Sequence, residues 1–333
     1  MSRRPYVVAW IGYLLLVLLA PDVRASGLDR AKVGALPGDP APPIRGSAWL
    51  RGTPVAKYEP GHVYVVDLWA SWCAPCLDAM PVLRRYEARF PQKLTVVAMN
   101  VWEMSPQRLP QLIASRADSM PSHAVKDSIP AGKEANEGLN AAAFMGLSDW
   151  ISIPRTYLID GRGRVAWIGT PRDLERPLSE VMAGTWDLKK HAGEYARDME
   201  AELRFQSAFA PVQAALMAKR WEEAIQVCES AVLADSTLRA RFANAGFAAV
   251  ADAILRRPAP ANDELPQAER AVRRALELEA RPRWRTLTLA ARVAKAMGKS
   301  DEARRFLAEA RQGVPAGSET LVPATLEALS IRP

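Results

Sequence analysis

Val66-Asp67-Leu68-Trp69-Ala70-Ser71-Trp72-Cys73-Ala74-Pro75-Cys76 is the stretch on which the fold of this chain turns. It begins inside Val63-Tyr64-Val65-Val66-Asp67-Leu68-Trp69, a nearly continuous β-branched and aromatic run bounded by Gly61. Such a run predicts a strand buried on both faces. The stretch ends by opening a helix expected from about Ala74 to Phe90. Pro75 fits its first turn, where a missing N–H costs nothing. Pro81, further in, is expected to kink it. Cys73 therefore stands at a helix N-terminus, where partial positive charge and free N–H groups stabilise a thiolate. Cys76 lies one turn in, within covalent reach of it.

The chain holds three cysteines, Cys73, Cys76 and Cys228. A disulfide across so short a loop constrains the unfolded chain little, so Cys73 and Cys76 are there for chemistry rather than for stapling. A zinc site needs about four ligands. Cys228 is distant in sequence, and His62, His123 and His191 are scattered singly. Haem attachment needs a His after the second Cys, and position 77 is Leu. What remains is thiol–disulfide exchange, with Cys73 attacking as a thiolate and Cys76 resolving the mixed disulfide. No metal and no cofactor beyond this Cys73-Cys76 pair is expected. Trp69 and Trp72 are expected to shield one side of the site. Cys228, on a helix face among small residues, reads as a small buried hydrophobe.

Outward from this core, Gly34 to Pro43 is rich in Gly and Pro and reads as an extended lead-in. A short hairpin is expected over Ser47 to Tyr58, turning near Arg51-Gly52. Lys93 to Val101 reads as a second buried strand, and Ser105-Pro106 opens a helix to about Ala117. From Ile153, the run Pro154-Arg155-Thr156-Tyr157-Leu158-Ile159-Asp160 is a strand. Gly161-Arg162-Gly163 turns it into a paired strand at Val165-Ala166-Trp167-Ile168, and a helix follows from Leu174 to Met182. The expected class is α/β: a central mixed sheet with helices on both faces.

At this point the chain resembles the thioredoxins. The Trp-Ala-Ser-Trp-Cys variant of the active-site loop, Trp69 to Cys73, is most similar to the exported TlpA/ResA-like (redoxin) branch. Ile153-Pro154-Arg155-Thr156-Tyr157-Leu158-Ile159-Asp160 is similar to the family's second signature. The resemblance covers about residues 35–187, with 102–150 longer than in a minimal thioredoxin. It implies a cis Ile153–Pro154 bond beside the dithiol, with Ile153 offering strand-like hydrogen bonds to a bound partner. Trp72, Ala74, Pro75, Ile153 and Arg155 would line the substrate groove. It also implies that Asp67, six residues before Cys73 on a buried strand, accepts the proton of the resolving cysteine. Burial raises a carboxylic acid's pKa, as that task requires. A partly exposed strand-end aspartate is the alternative. Two departures stand out. The middle dipeptide is Ala74-Pro75 where cytoplasmic thioredoxins have Gly-Pro. Arg155 stands where many relatives carry Thr, either as a cation near the dithiol or as a solvent-directed side chain.

Beyond about residue 190 the strand pattern stops and alanine becomes abundant. Ala224 and Ala231, Ala268 and Ala275, and Ala303 and Ala310 repeat one spacing. The offset from Ala268 to Ala303 is 35 residues and that from Ala224 to Ala268 is 44, with a Pro-rich insertion from Arg257 to Pro266. Paired helices with a period near 34 resemble tetratricopeptide repeats (TPR), which bind peptide or protein partners. Alanine-rich helical hairpins of no defined repeat family are the alternative. Three parts follow: 1–26, a targeting segment; 27–189, a thioredoxin-like domain; and 190–333, an α-helical TPR-like domain.

The 333 residues suit two domains, and 49% hydrophobic with 24% charged residues excludes bulk disorder. The net charge of +7 is mild and lacks a dominant Lys/Arg block, so no nucleic-acid partner is expected. Arg3 and Arg4 precede an almost purely apolar run from Val7 to Ala20, and Val23-Arg24-Ala25 offers a cleavage site. This is the layout of a secretory signal, too short for an ordinary membrane span of ~20 residues. An uncleaved anchor is the alternative, and either way the rest faces the exported, periplasmic or cell-envelope side. The family resemblance then implies an exported thiol–disulfide oxidoreductase acting on protein disulfides. A CcdA/DsbD-type membrane electron donor would feed it, and apocytochrome c or copper-site cysteines are among its targets. A peroxiredoxin-like peroxidase and a non-catalytic TPR-type binding module are the competing functions.

Overall fold

The computed structural model of the chain describes residues 33–129, 138–146, 152–257, 260–261, 263–280 and 283–314. The targeting segment 1–26 lies outside the described residues. Six strands are formed: β1 (Gly46–Arg51), β2 (Val63–Trp69), β3 (Leu94–Asn100), β4 (His123–Asp127), β5 (Arg155–Ile159) and β6 (Val165–Gly169). Ten helices accompany them among the described residues. The first five are α1 (Ala74–Arg89), α2 (Leu109–Ser115), α3 (Leu139–Met145), α4 (Glu175–Ala183) and α5 (Leu188–Met217). The others are α6 (Trp221–Ala234), α7 (Ala248–Leu255), α8 (Leu265–Leu278), α9 (Trp284–Ala296) and α10 (Ser300–Gln312). Short turns of helix at 106–108, 171–173 and 236–241 and a π-helical stretch at Phe242–Phe247 complete the set. The chain divides into two compact units between Glu200 and Ala201, inside α5.

In the first unit the strands make one mixed sheet in the order β1-β4-β3-β2-β5-β6. β2 runs parallel to β3 and antiparallel to β5. Every residue of β2 is buried, as its apolar run predicts. Side chains alternate across the sheet. Val63, Val65 and Trp69 pack with α1, α2 and α4, whereas Tyr64, Val66 and Leu68 pack with Ala141, Phe144 and Met145 of α3. Helices therefore cover both faces, in a thioredoxin-like α/β arrangement. α1 begins at its N-cap Cys73, with Pro75 in the first turn, and runs through Pro81 without ending there. α4 stops at Gly184, whose φ of +73° gives the left-handed cap that glycine adopts without a Cβ penalty.

The expected hairpin over Ser47 to Tyr58 does not form. β1 is a single strand that pairs antiparallel with β4, Trp49 opposite Val125 and Arg51 opposite Ala124. Gly52 does turn the chain, at φ +73° and packed against the His123 ring, but no strand returns before β2. The partner lies more than 70 residues on, in polar-looking sequence. Its Asp127 is buried and accepts hydrogen bonds from the backbone N–H groups of Asn140 (2.9 Å) and Ala141 (3.1 Å), capping α3. The long segment after β3 thus contributes α2, β4 and α3.

The second unit is helical throughout its described residues. Ala224, Ala268 and Ala303 each occupy the fourth position of α6, α8 and α10, and each is fully buried. Cys228, Val272 and Leu307 follow four residues later at equally buried positions. Ion pairs join α8 to both neighbours: Arg274 to Glu229 of α6 at 2.8 Å and Arg273 to Glu302 of α10 at 2.6 Å. Cys228 is free, and a Cβ on Gly246 of the π-helical stretch would sit 3.0 Å from its Sγ. Burial, with the neighbouring Glu229 charge, pushes its thiol up to about 12. In the reduced native chain, a maleimide should therefore label Cys228 at least about 100-fold more slowly than Cys73. Peptide mapping after timed quenching checks this, and equal labelling of the two would contradict the burial.

Candidate active site

Cys73 and Cys76 are joined in a disulfide, their Cα atoms 5.3 Å apart. Cys73 is the N-cap of α1, and its Sγ accepts a hydrogen bond from the Cys76 backbone N–H at 3.3 Å. Leu77 N–H and Cys76 N–H also reach the Cys73 carbonyl, both at 3.1 Å. The sulfur thus lies where the first turn of α1 offers unsatisfied donors and the positive end of its dipole. The two residues differ in access: Cys73 retains 5% exposure and Cys76 none. Ala74 and Pro75 are exposed beside them, and Trp72 is 47% exposed. Of the two tryptophans expected to shield one side of the site, Trp69 lies on its inner side. It is wholly buried in the same core cluster as both cysteines, because it is the last inward-facing residue of β2.

Asp67 is fully buried on that same face of β2, between Val65 and Trp69 in the alternation. The alternative of a partly exposed strand-end aspartate is excluded. Thr156 of β5 stands directly opposite it, and Thr156 Oγ1 donates to Asp67 Oδ1 at 2.7 Å. Asp67 Oδ2 has no protein hydrogen-bond partner. Burial pushes the carboxyl up to about 7, with the Thr156 bond working in the other direction.

The Ile153–Pro154 bond is cis. Ile153 is half-buried and packs against the cluster containing Cys73 and Cys76. Arg155 is neither near the dithiol nor directed to solvent. One residue on from Pro154, strand alternation turns it to the opposite face of the sheet. There its guanidinium donates to Tyr157 Oη at 3.4 Å and to Tyr195 Oη on α5. Its side chain is therefore not part of the groove.

The sequence reading overlooked the loop after β3. Glu103 accepts hydrogen bonds from Ser71 N–H (2.9 Å), Ser71 Oγ (2.7 Å), Asn100 Nδ2 (3.0 Å) and Ser105 N–H (3.0 Å). Burial disfavours its charge, but the bonds from Asn100 and Ser71 prevail and hold the carboxyl below the usual range. Trp72 Nε1 donates to the Trp102 carbonyl at 2.9 Å. Trp102 itself sits at φ +53°, costly for a bulky side chain by about 1–2 kcal/mol. The Glu103 bonds fix both this strained turn and the Ser71-Trp72 approach to Cys73. The signal was available: Asn100 ends a largely apolar strand, and an acidic residue, Glu103, stands three positions on. Among the described residues, no group of three or more His, Cys, Asp or Glu is placed to hold a metal.

No family model matches the chain. The thiol:disulfide interchange protein DsbE of Xylella fastidiosa is 31% identical over 165 residues, 47% of this chain and 73% of that protein. Protein FixW of Rhizobium leguminosarum is 25% identical over 202 residues, covering 59% of this chain and 89% of FixW. A solved thiol-disulfide isomerase from Corynebacterium glutamicum matches at 16% identity and TM-score 0.35, over 44% of this chain and 97% of the other.

The buried Asp67 has a measurable consequence for stability. Its folded pKa of about 7 lies above the unstructured value of 3.8. Between the two the folded chain holds a proton that the unfolded chain has released, so stability falls as pH rises. The loss reaches about 4 kcal/mol above neutral pH, at 1.36 kcal/mol per pH unit. Asp67→Asn removes this titration. Urea unfolding of the two oxidised proteins should show the variant gaining on the parent by about 4 kcal/mol from about pH 4 to pH 8. A difference independent of pH would mean that Asp67 titrates normally.

Proposed function

Since this chain belongs to the thioredoxin-like thiol:disulfide oxidoreductases, we propose that it works outside the cytoplasm as a reductant of protein disulfides. The observations that support the direction of attack are the place of Cys73 at the N-cap of α1 and the difference in exposure between the two cysteine residues. A client sulfur can reach Cys73 but not the buried Cys76. In the reduced protein, the Cys73 thiolate attacks one sulfur of the client disulfide. A Cys73–client bond forms, and the other client sulfur leaves with the bonding electrons and takes up a proton. Cys76 then gives its proton to Asp67 and attacks Cys73 Sγ. The Cys73–Cys76 bond forms, the second client sulfur leaves as a thiolate, and the client has gained two electrons. The helix N-terminus favours the thiolate at Cys73. A carboxyl pushed up to about 7 is matched to taking and returning a proton near neutrality. Ile153 and Pro154 form the groove wall along which an extended client segment lies, with Trp72, Ala74 and Pro75 on the exposed rim.

Export is supported by Arg3, Arg4 and the apolar run from Val7 to Ala20. Among the described residues no helix is long and apolar enough to cross a membrane. The exported side is oxidising, so the electrons come across the membrane from a CcdA/DsbD-type donor. The name of the Xylella relative, a thiol:disulfide interchange protein, fits protein disulfides as substrates. The helices beyond residue 190 act as TPR-like repeats that dock a client or partner. The equal placing of Ala224, Ala268 and Ala303 in α6, α8 and α10 supports this.

Insulin reduction by the full chain, supplied with dithiothreitol, tests the activity. Cys73→Ser and Cys76→Ser should each reduce it to background, and Cys76→Ser should accumulate a mixed disulfide at Cys73 that mass spectrometry locates. A mixed disulfide on Cys76 instead would reverse the assignment. A reduction potential near the ≈ −120 mV of a strong oxidant would overturn the reductant reading.

A further inference from the structure

Thr156 enters the site through the sheet rather than through the loop that carries the cysteines. The β2–β5 register sets it opposite Asp67, and both residues are fully buried. Its hydroxyl lies 2.7 Å from Asp67 Oδ1, while Oδ2 has no protein partner. We propose that Thr156 is a positioning residue for the redox reaction: by donating to Oδ1 it assigns Oδ2 as the oxygen that takes the Cys76 proton. The proposal rests on the reading of Asp67 as proton acceptor.

An ionised carboxylate only accepts hydrogen bonds, so Thr156 must be the donor when Asp67 is charged. That bond is charge-assisted and strengthens on ionisation. When the proton arrives, it goes to the oxygen that is not already accepting a bond. Oδ1 then remains the carbonyl oxygen, still bound to Thr156, and Oδ2 becomes the O–H. The carboxyl need not rotate between the two states. Thr156 therefore does two things: it stabilises the charged form against burial, and it fixes which oxygen exchanges the proton.

Among the described residues no other side chain hydrogen-bonds Asp67. On β3 the residue opposite Asp67 is Ala98. On the buried side of α1 the titratable groups are Cys73 at its N-cap, Cys76, Tyr86 and Glu87. Glu87 is committed to Arg84 at 2.7 Å and to Ser122 N–H at 2.9 Å. On β5, Arg155 and Tyr157 face the opposite side of the sheet. In the oxidised chain burial raises the proton affinity of Asp67 and the Thr156 bond opposes it.

The test is stopped-flow reaction of the reduced full chain with a chromogenic aryl disulfide. The first aryl thiolate is released as Cys73 attacks, and the second as Cys76 resolves the mixed disulfide. Thr156→Val keeps the side-chain shape and removes the donor, and Thr156→Ser restores it. With Thr156→Val, the pH midpoint of the second release should rise by about one unit, a roughly tenfold slowing below the midpoint. The first release should not change, and Thr156→Ser should follow the parent. If Thr156→Val overlays the parent while Asp67→Asn does not, Thr156 has no part in the proton step and the proposal fails. If Asp67→Asn also overlays the parent, the reading of Asp67 as acceptor has failed first. A second measurement needs no Thr156 variant. The infrared carbonyl stretch of protonated Asp67, identified by its loss in Asp67→Asn, should lie at a hydrogen-bonded frequency. A free-carbonyl frequency would refute the Thr156 contact.

Discussion

The antiparallel pairing of β2 with β5 is the constraint on which the site depends. It joins two segments about 90 residues apart in sequence and opposes Asp67 to Thr156 and Leu68 to Arg155. Because side chains alternate along a strand, this one register sorts the neighbours of Pro154 onto two faces. Thr156 goes to the face of α1 and the dithiol, and Arg155 goes to the face of α3 and Tyr195. A slip by one residue would bring a guanidinium to the buried carboxyl and send the hydroxyl away. The resulting ion pair would hold the carboxyl charged. The environment of the buried carboxyl is thus a property of strand register before it is a property of any single side chain.

The other half of the site is made by a turn and a helix end. Burying a carboxyl costs stability, and so does holding Trp102 at a positive φ. The four hydrogen bonds collected by Glu103 oppose the second cost and fix the approach to Cys73 from Ser71. α1 then starts at Cys73 itself, so one sulfur of the dithiol is also the cap of the helix. Loop, cap and strand are separate devices, and each positions a different part of one site.

Much of this was legible in the chain before any coordinates. The unbroken apolar run of β2 needs no partner to be read as doubly buried. Pro75 at the start of α1 likewise places the helix end by local geometry alone. The hairpin expected after Gly46 failed for a non-local reason. β4 carries His123, Lys126 and Asp127, so its five residues do not look like a strand. What makes it one is pairing with β1 and β3 and the commitment of Asp127 to capping α3. Asp67 could be picked out because a charge in an apolar run stands out. Thr156 could not, since a threonine in a strand is ordinary and only the register reveals what it faces. Arg155 could have been assigned to the correct face by alternation from Leu158, which packs with the dithiol cluster.

The contrast between Cys73 and Cys228 carries the same lesson into chemistry. Both are small buried residues, one at the N-cap of α1 and one within α6, at 5% and 0% exposure. Cys73 occupies the cap, where backbone N–H groups lack helical partners and one of them reaches its sulfur. Cys228 occupies the interior of α6, where the N–H groups are spent within the helix. Its sulfur there meets Gly246 and the charge of Glu229 lies next in sequence. The first environment favours a negative sulfur and the second penalises it, to a thiol pushed up to about 12. Residue type and burial alone would rank the two cysteines as equals. Position along the helix separates an environment that favours a thiolate from one that penalises it.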